Sequence, residues 1–469
     1  MSTHSLPFEL LSAIMCLTVV VKKFTPGPIR GIIALTHVCG FWRQVALNTP
    51  RLWSMHPLPV IKSIPKLSRH GSRGQDMDVR LTNLSLERSA PLPLCIRIDR
   101  LEDADFPNVR ETLEALAPSS ARWGQFKYWM TGRDDLQAIR GLSGAPFDSL
   151  ECLKLEVRLY DDIICDGPDM DMFLHAPRLR KVHIRSLGCR QRRLHDTSAL
   201  RVAISLPWGQ LTHLLLGVSA HVCLEVLMRC TSLVSARVHT DTVSIAAQSA
   251  LHLLEPEATL PFLEDFELSI ATGESPAEDF RPFFLRLRLP SLKTLILEVT
   301  LPDWTDSWKS DYLPSFETFL SHAPNLTHLS SDEFLSCDQL LYLLPQLAGL
   351  EKLTLFGLQG HTRLFNALRV SHGAPVPLPN MEELVLRYVK EKLDPAALEE
   401  MIWSRGWEEC ALAGTTPEAY SPLWYVFCGI HKYGAAASAA TEELDRQMEE
   451  LAELGLEWEC KVDWRPLAD

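Results

Sequence analysis

FLHAPRLRKVHI, residues 173–184, and FLSHAPNLTHLS, residues 319–330, are two versions of one phrase. In each, an apolar stretch runs into His-Ala or Ser-His-Ala and then a proline, and an apolar position follows two residues later. Proline lacks an amide proton and fixes its own backbone angle, so it stops a preceding helix and sets off the extended segment that follows. Within that segment the apolar residues occupy the first, fourth and sixth places. They are Leu179, Val182 and Ile184 in one copy, and Leu326 and Leu329 in the other, where Ser331 takes the sixth place.

The spacing recurs. It appears at Leu150/Leu153/Leu155, Leu211/Leu214/Leu216, Leu233/Ala236/Val238 and Leu263/Phe266/Leu268, then at Leu292/Leu295/Leu297, Leu350/Leu353/Leu355 and Met381/Leu384/Leu386. First places follow one another at intervals of 22 to 34 residues. Pro177, Pro261, Pro290, Pro324 and Pro379 each stand two residues ahead of one, which phases the series independently. Alternation at the fourth and sixth places is the period of a strand with one buried face. A helix, a proline stop and a short strand, repeated, resembles the leucine-rich-repeat unit. The resemblance implies an α/β fold, a solenoid with parallel strands inside and helices or irregular segments outside. The Asn or Cys that usually follows the strand in such repeats is missing at most positions, so the solenoid is expected to be irregular.

The array is expected over residues 91–410, opened by a strand over Pro91–Ile98 and closed by a helix over Leu393–Trp407. An acidic cap is expected over 411–469, with Leu444, Met448 and Leu451 on one face of a helix. The leucines are then core, and recognition falls to the positions between them, which point away from the core. Arg180, Lys181, His183, His213, Lys293 and His328 are the candidates for contact with a protein substrate, beside Lys154. Arg190, Arg192 and Arg193 extend the basic run, which suits an acidic or phosphorylated segment.

The N-terminal stretch LPFELLSAIMCLTVVVKK, residues 6–23, has another character. No charge falls between Leu10 and Val21, yet no Lys or Arg precedes the run, as a secretion signal would require. It is also shorter than the roughly 20 residues that cross a bilayer. Pro7 suits a first helical turn and Glu9 favours the helix dipole, which predicts a helix from about Pro7 to Val20. That helix is apolar nearly all round and needs cover on more than one side. A Pro/Gly loop over 24–31 should end it. Helical periodicity returns over 32–47 with Ile33, Val38, Phe41, Trp42 and Val45, and Asn48-Thr-Pro ends it.

Leu6-Pro7, Glu9-Leu10-Leu11, Ile14, Val38-Cys39, Trp42-Arg43, Val45-Ala46-Leu47 and Leu52-Trp53, in that order and spacing, resemble the F-box, above all that of mushroom-forming fungi. The resemblance covers about residues 5–56. It departs from the pattern at Gly40, where a better helix former is usual. It implies a helical domain over 1–58, joined to the array by a linker and helix over 59–90. It also implies that Leu6, Pro7, Leu10, Leu11, Ile14, Val38, Trp42, Leu52 and Trp53 bind a Skp-type adaptor and through it a cullin, the alternative being that several of them, Ile14 and Val38 above all, are the domain's own core and about half face the partner. The chain would then be the substrate-recognition subunit of a cullin–RING ubiquitin ligase. A leucine-rich-repeat interaction scaffold unrelated to ubiquitin is the alternative.

Bulk properties agree with a protein-binding protein. The net charge of −13 argues against general nucleic-acid binding, and residues 380–469 carry most of it, with 19 Asp/Glu against 8 Lys/Arg. The 12 cysteines are scattered with no Cys-x-x-Cys, as in a reduced set inside the cell, cytoplasmic or nuclear. No phosphate loop, dinucleotide fingerprint, nucleophile elbow or zinc-protease motif occurs, so no enzyme activity, cofactor, metal or membrane role is expected. Cys223 and Arg229 share the spacing of a cysteine-phosphatase loop, but the apolar residues between them read as a helix rather than a phosphate cradle.

Overall fold

The computed structural model describes residues 6–21, 28–54, 73–98, 109–130, 133–157, 171–186, 205–218, 220–241, 258–271, 276–299, 312–332, 334–371, 375–389, 393–407, 421–430, 442, 444–446, 448–449, 451–453 and 455–462. It falls into two compact units, Met1–Val218 and Ser219–Asp469.

The first unit opens with four short helices, α1 (Phe8–Val21), α2 (Pro28–Thr36), α3 (Gly40–Leu47) and α4 (Pro50–Ser54). They enclose a core of Leu11, Met15, Cys16, Ile32, Val45, Ala46, Leu52 and Trp53. The expected Pro/Gly loop is shorter than the sequence reading had it, because Pro28 takes the first position of α2, where its missing N–H costs nothing. Gly40 costs less than expected for a related reason. It is the first residue of α3, and Cys39 caps that helix, its Sγ accepting from the Trp42 amide at 3.5 Å. A fifth helix, α5 (Arg73–Arg88), links the bundle to the strands. Its Leu84 packs against the bundle core. At its other end the Arg122 guanidinium donates to the Leu86 and Leu92 carbonyls and to Ser89 Oγ at 2.8–3.1 Å.

Five strands follow, β1 (Leu94–Ile98), β2 (Trp123–Met130), β3 (Cys152–Val157), β4 (Lys181–Ser186) and β5 (His213–Gly217). They pair in chain order and every pairing is parallel. Helices α6 (Val109–Leu116) and α7 (Arg133–Arg140) lie in the first two crossovers. Trp123, Phe126, Phe147 and Phe173 form an aromatic cluster under these strands, with ring centroids 4.9–6.2 Å apart.

In the second unit, helix α8 (Ala220–Arg229) precedes β6 (Ser235–Asp241). The strands continue as β7 (Ala258–Thr259), β8 (Asp265–Ala271), β9 (Leu287–Arg288), β10 (Thr294–Val299), β11 (His328–Asp332), β12 (Lys352–Phe356), β13 (Glu383–Val389), β14 (Tyr425–Ile430) and β15 (Glu457–Val462). The two-residue β7 and β9 pair with each other. The other eight form one parallel series in chain order. Helices over Pro276–Arg286, Leu313–Ser321, Cys337–Leu343, His361–Leu368 and Pro395–Ile402 lie in its crossovers. The chain is thus an α/β repeat array of the leucine-rich-repeat solenoid kind, with a helical segment at its start.

The repeat spacing read from the sequence is the pairing register. Leu153 and Leu155 face Val182 and Ile184, which face Leu214 and Leu216. Leu295 and Leu297 face Phe266 and Leu268 on one side and Leu329 and Ser331 on the other. Leu353 and Leu355 face Leu384 and Leu386. All these side chains are buried, Ser331 included at 2% exposure. Of the five phasing prolines Pro324 alone closely follows a helix, Leu313–Ser321, whereas Pro261 and Pro290 follow the two-residue strands β7 and β9, so the expected helix before each proline is not general. Ser291 Oγ donates to the Pro261 carbonyl at 2.6 Å and Asn325 Nδ2 to the Pro290 carbonyl at 2.7 Å, so in these two repeats the residue after the proline ties its repeat to the one before.

The array is longer than 91–410 at its C-terminal end. Leu423, Val426 and Cys428 repeat the spacing, and β14 and β15 extend the strand series into the segment expected to be only a cap. Leu444, Met448 and Leu451 are buried as their helical periodicity predicted. The helix expected over 393–407 runs from Pro395 to Ile402 and ends in a wider π turn over Trp403–Trp407. There the buried Arg405 donates to the Leu368, Pro377 and Leu378 carbonyls.

Leu353→Ala should cost about 2–5 kcal/mol, because a fully buried leucine loses its transfer energy and leaves a cavity. Thr354→Ala, half-buried on the other face, should stay within about 0.5 kcal/mol. Urea unfolding followed by circular dichroism separates the two; equal losses would contradict the assigned faces.

Candidate interaction surfaces

The helical bundle leaves part of its apolar surface uncovered. Helix α1 buries Leu11, Met15 and Cys16. On its other side Leu10, Ile14 and Leu17, at helical spacing i, i+4 and i+7, are 54%, 41% and 67% exposed. Phe8 on α1 and Val38, between α2 and α3, are exposed as well, at 37% and 59%. Exposed leucines are ordinary singly, but a stripe of them on one helix marks a surface that a partner covers.

The nine residues assigned to the adaptor separate cleanly. Pro7, Leu10, Ile14 and Val38 are exposed, and Leu6 and Trp42 are half-buried. Leu11, Leu52 and Trp53 are core at 1%, 0% and 3% exposure, which corrects their assignment as contacts. Trp53 holds the bundle from within, its indole N–H donating to the Ala46 carbonyl at 2.8 Å. Its bulk closes the short α3–α4 corner, a role that a closing Trp serves without meeting any partner. The indole nitrogen of Trp42 is buried with no hydrogen-bond acceptor among the described residues.

The second surface is the outward face of the strands, the third, fifth and seventh places of each repeat. Lys181, His183 and His213 lie there in the first unit, and His328 in the second. Arg180 and Lys293 lie one residue before their strands. Arg180 donates to the Pro177 and Leu179 carbonyls, and Lys293 Nζ sits 3.0 Å from Glu264 Oε2. His213 and His328 each hydrogen-bond the preceding threonine, at 2.9 and 2.7 Å from Nδ1 to Oγ1. Arg190, Arg192 and Arg193 fall outside the described residues.

One feature of this face escaped the sequence reading. In the fifth place, Arg97, Lys127, Lys154 and His183 stand side by side on β1, β2, β3 and β4. Lys181 and Arg185 flank them on β4, and Arg185 lies over Gly217 of β5, where an added Cβ would come within 2.8 Å of Arg185 Cγ. Among the described outward positions of these five strands Glu156 is the one carboxylate, 2.5 Å from Lys154 Nζ. The row was hidden because β2 carries its repeat as Trp123, Phe126 and Tyr128, aromatic rather than aliphatic, at the same first, fourth and sixth places. Scoring aromatics as core would have exposed it.

Reactive groups are not assembled. No group of three or more His, Cys, Asp or Glu side chains stands within metal-binding reach among the described residues. Cys223 is buried within helix α8, and Arg229 is bound to Glu225 at 2.5 Å. Burial pushes the neighbouring Cys230 thiol up to about 12. No helix among the described residues is long and apolar enough to cross a membrane.

Comparison with known proteins adds little to the geometry. No protein-family model and no curated protein matches the sequence. A solved structure of a TLR13–ssRNA13 complex aligns with 75% of this chain at 12% identity and a TM-score of 0.30. The chain spans about half of the TLR13 chain, 47% of its length.

Trp53→Ala should destabilise the helical bundle by about 3–5 kcal/mol, whereas Leu10→Asp should leave its melting unchanged within about 0.5 kcal/mol. Limited proteolysis between residues 6 and 54 distinguishes them, and equal resistance would contradict the core assignment. Iodoacetamide at pH 8 should leave Cys223 and Cys230 of the native chain unmodified until denaturant is added. Rapid native labelling of either would restore a reactive thiol.

Proposed function

We propose that the chain is a non-catalytic substrate receptor of a cullin–RING ubiquitin ligase. Its N-terminal helices bind a Skp-type adaptor, and its strand face holds the protein to be modified. The observation that supports this reading most is the exposed stripe Leu10, Ile14 and Leu17 on a helix whose other side packs Leu11, Met15 and Cys16 into the core. Burying such groups supplies most of the energy of a helical interface. The ordered resemblance of residues 5–56 to the F-box names the partner that would cover the stripe. The receptor would accelerate modification by proximity, keeping a substrate lysine near a ubiquitin-charged enzyme. Adaptor and ligase of this kind place the chain in the cytoplasm or nucleus.

A second reading has its own support. Leu84 of α5 packs into the bundle core and Arg122 clamps the end of α5, so the bundle also serves to close the array at its N-terminal end. A solenoid needs such a cap whether or not an adaptor binds. On this reading the chain is an interaction scaffold outside the ubiquitin system.

Affinity purification of the full chain with mass spectrometry decides between them. The receptor reading predicts co-purifying adaptor and cullin, and their loss in a Leu10→Asp/Ile14→Asp variant that melts like the parent. Absence of both from the parent protein favours the scaffold. Retention by the folded variant moves the contact away from α1.

A further inference from the structure

The geometry points to a binding surface for an acidic, extended peptide segment of a partner protein, formed by Arg97, Lys127, Lys154 and His183 across strands β1–β4. The inference rests on the part of the receptor reading that makes the strand face the recognition surface. It supplies the chemical class of what is recognised there, carboxylate side chains in an unfolded or looped stretch.

Three observations carry it. The first is register. The four residues are direct partners on successive parallel strands, so they form a straight row across the sheet rather than a scatter. Strands lie about 4.8 Å apart, which makes the row about 14 Å long. An extended peptide advances about 3.3 Å per residue, with alternate side chains on one side about 7 Å apart. A peptide laid across the strands would therefore set two or three alternate acidic side chains against the row.

The second is that the row sets like charges opposite one another on neighbouring strands. Like charges directly opposite on neighbouring strands destabilise the pairing. Outward places accept any polar residue, so nothing in the packing asks for Arg97, Lys127 and Lys154 in succession. The fifth place of the second unit shows the usual arrangement. There Arg237 is followed by Glu267, which it pairs at 3.2 Å, and then by Ile296, Ser330 and Thr354.

The third is the charge balance around the row. Lys181 and Arg185 add to it, and Glu156 is the one carboxylate at the described outward places of these five strands. In a chain of net charge −13 such a patch is a local reversal of sign. The cations also act on their surroundings. Lys127 favours the thiolates of both Cys95 and Cys152, although burial holds each thiol above its ordinary range. A cationic surface on an anionic protein steers acidic partners to one place and repels them elsewhere.

The test measures binding of fluorescein-labelled (Glu-Ser)4 to the full chain by anisotropy, with no adaptor present. A (Lys-Ser)4 peptide, a (phosphoserine-Gly)4 peptide and a twelve-residue oligothymidylate are the comparison probes. The glutamate peptide should bind tightest, and more weakly as salt rises. Lys127→Glu/Lys154→Glu should weaken it by about tenfold or more, since two attractions become repulsions. Arg229→Glu, on helix α8 and away from the strand face, should leave it within about twofold. Lys127→Ala/Lys154→Ala, which removes both charges, should also weaken it, with a melting temperature no lower than the parent's. Indifference of the glutamate peptide to both double variants overturns the proposal. So does preference for the oligothymidylate, which would make the surface a nucleic-acid site, or for the phosphoserine peptide over the glutamate one. Because no adaptor is in the experiment, its failure would leave the adaptor reading standing. Absence of adaptor in a purification would likewise leave this surface standing.

Discussion

Everything in this chain depends on register. A parallel strand buried on one face cannot slip by a single residue without turning its whole apolar set to the other side. The fourth and sixth places therefore must coincide from one repeat to the next, and within each unit they do, from Ile96 and Ile98 to Leu214 and Leu216 in the first and from Ala236 and Val238 to Leu384 and Leu386 in the second. Repeat length is free to vary because it is absorbed in the crossovers.

This explains what was legible in the sequence. Spacing of one, four and six survives intervals of 22 to 34 residues because the strand is the conserved unit of geometry, not the repeat as a whole. It also explains what was missed. The aromatic triad of β2 fills the core as well as leucine does, and Cys428 closes the β14 triad, but neither looks like a leucine repeat. The array therefore runs past Trp407 to Val462, with the acidic terminal segment built on strands of its own rather than standing apart from them.

The helical domain shows the opposite limit. Its residues were legible as a set, but not by side. An apolar pattern on a helix buried from more than one direction does not say which leucines meet the domain's own core. Leu11, Leu52 and Trp53 went inward, and Leu10, Ile14 and Val38 outward. Only packing decides that, since a 14-residue helix with little amphipathic bias carries apolar groups to every side. The consequence for function is a division of labour. Trp53 and Leu52 hold the shape, and α1 displays the surface.

The two surfaces differ in the physics they offer. The helical one is apolar and suited to a lasting contact, and the strand face of the first unit is cationic and suited to a reversible one. On the proposed receptor reading the first would hold an adaptor and the second a client. Hydrogen–deuterium exchange of the full chain with and without a purified Skp-type adaptor tests this most directly. The account predicts slowed exchange in Phe8–Val21 and around Val38, with the strands β1–β5 unchanged. Unchanged exchange in α1, or protection confined to the strands, would contradict it.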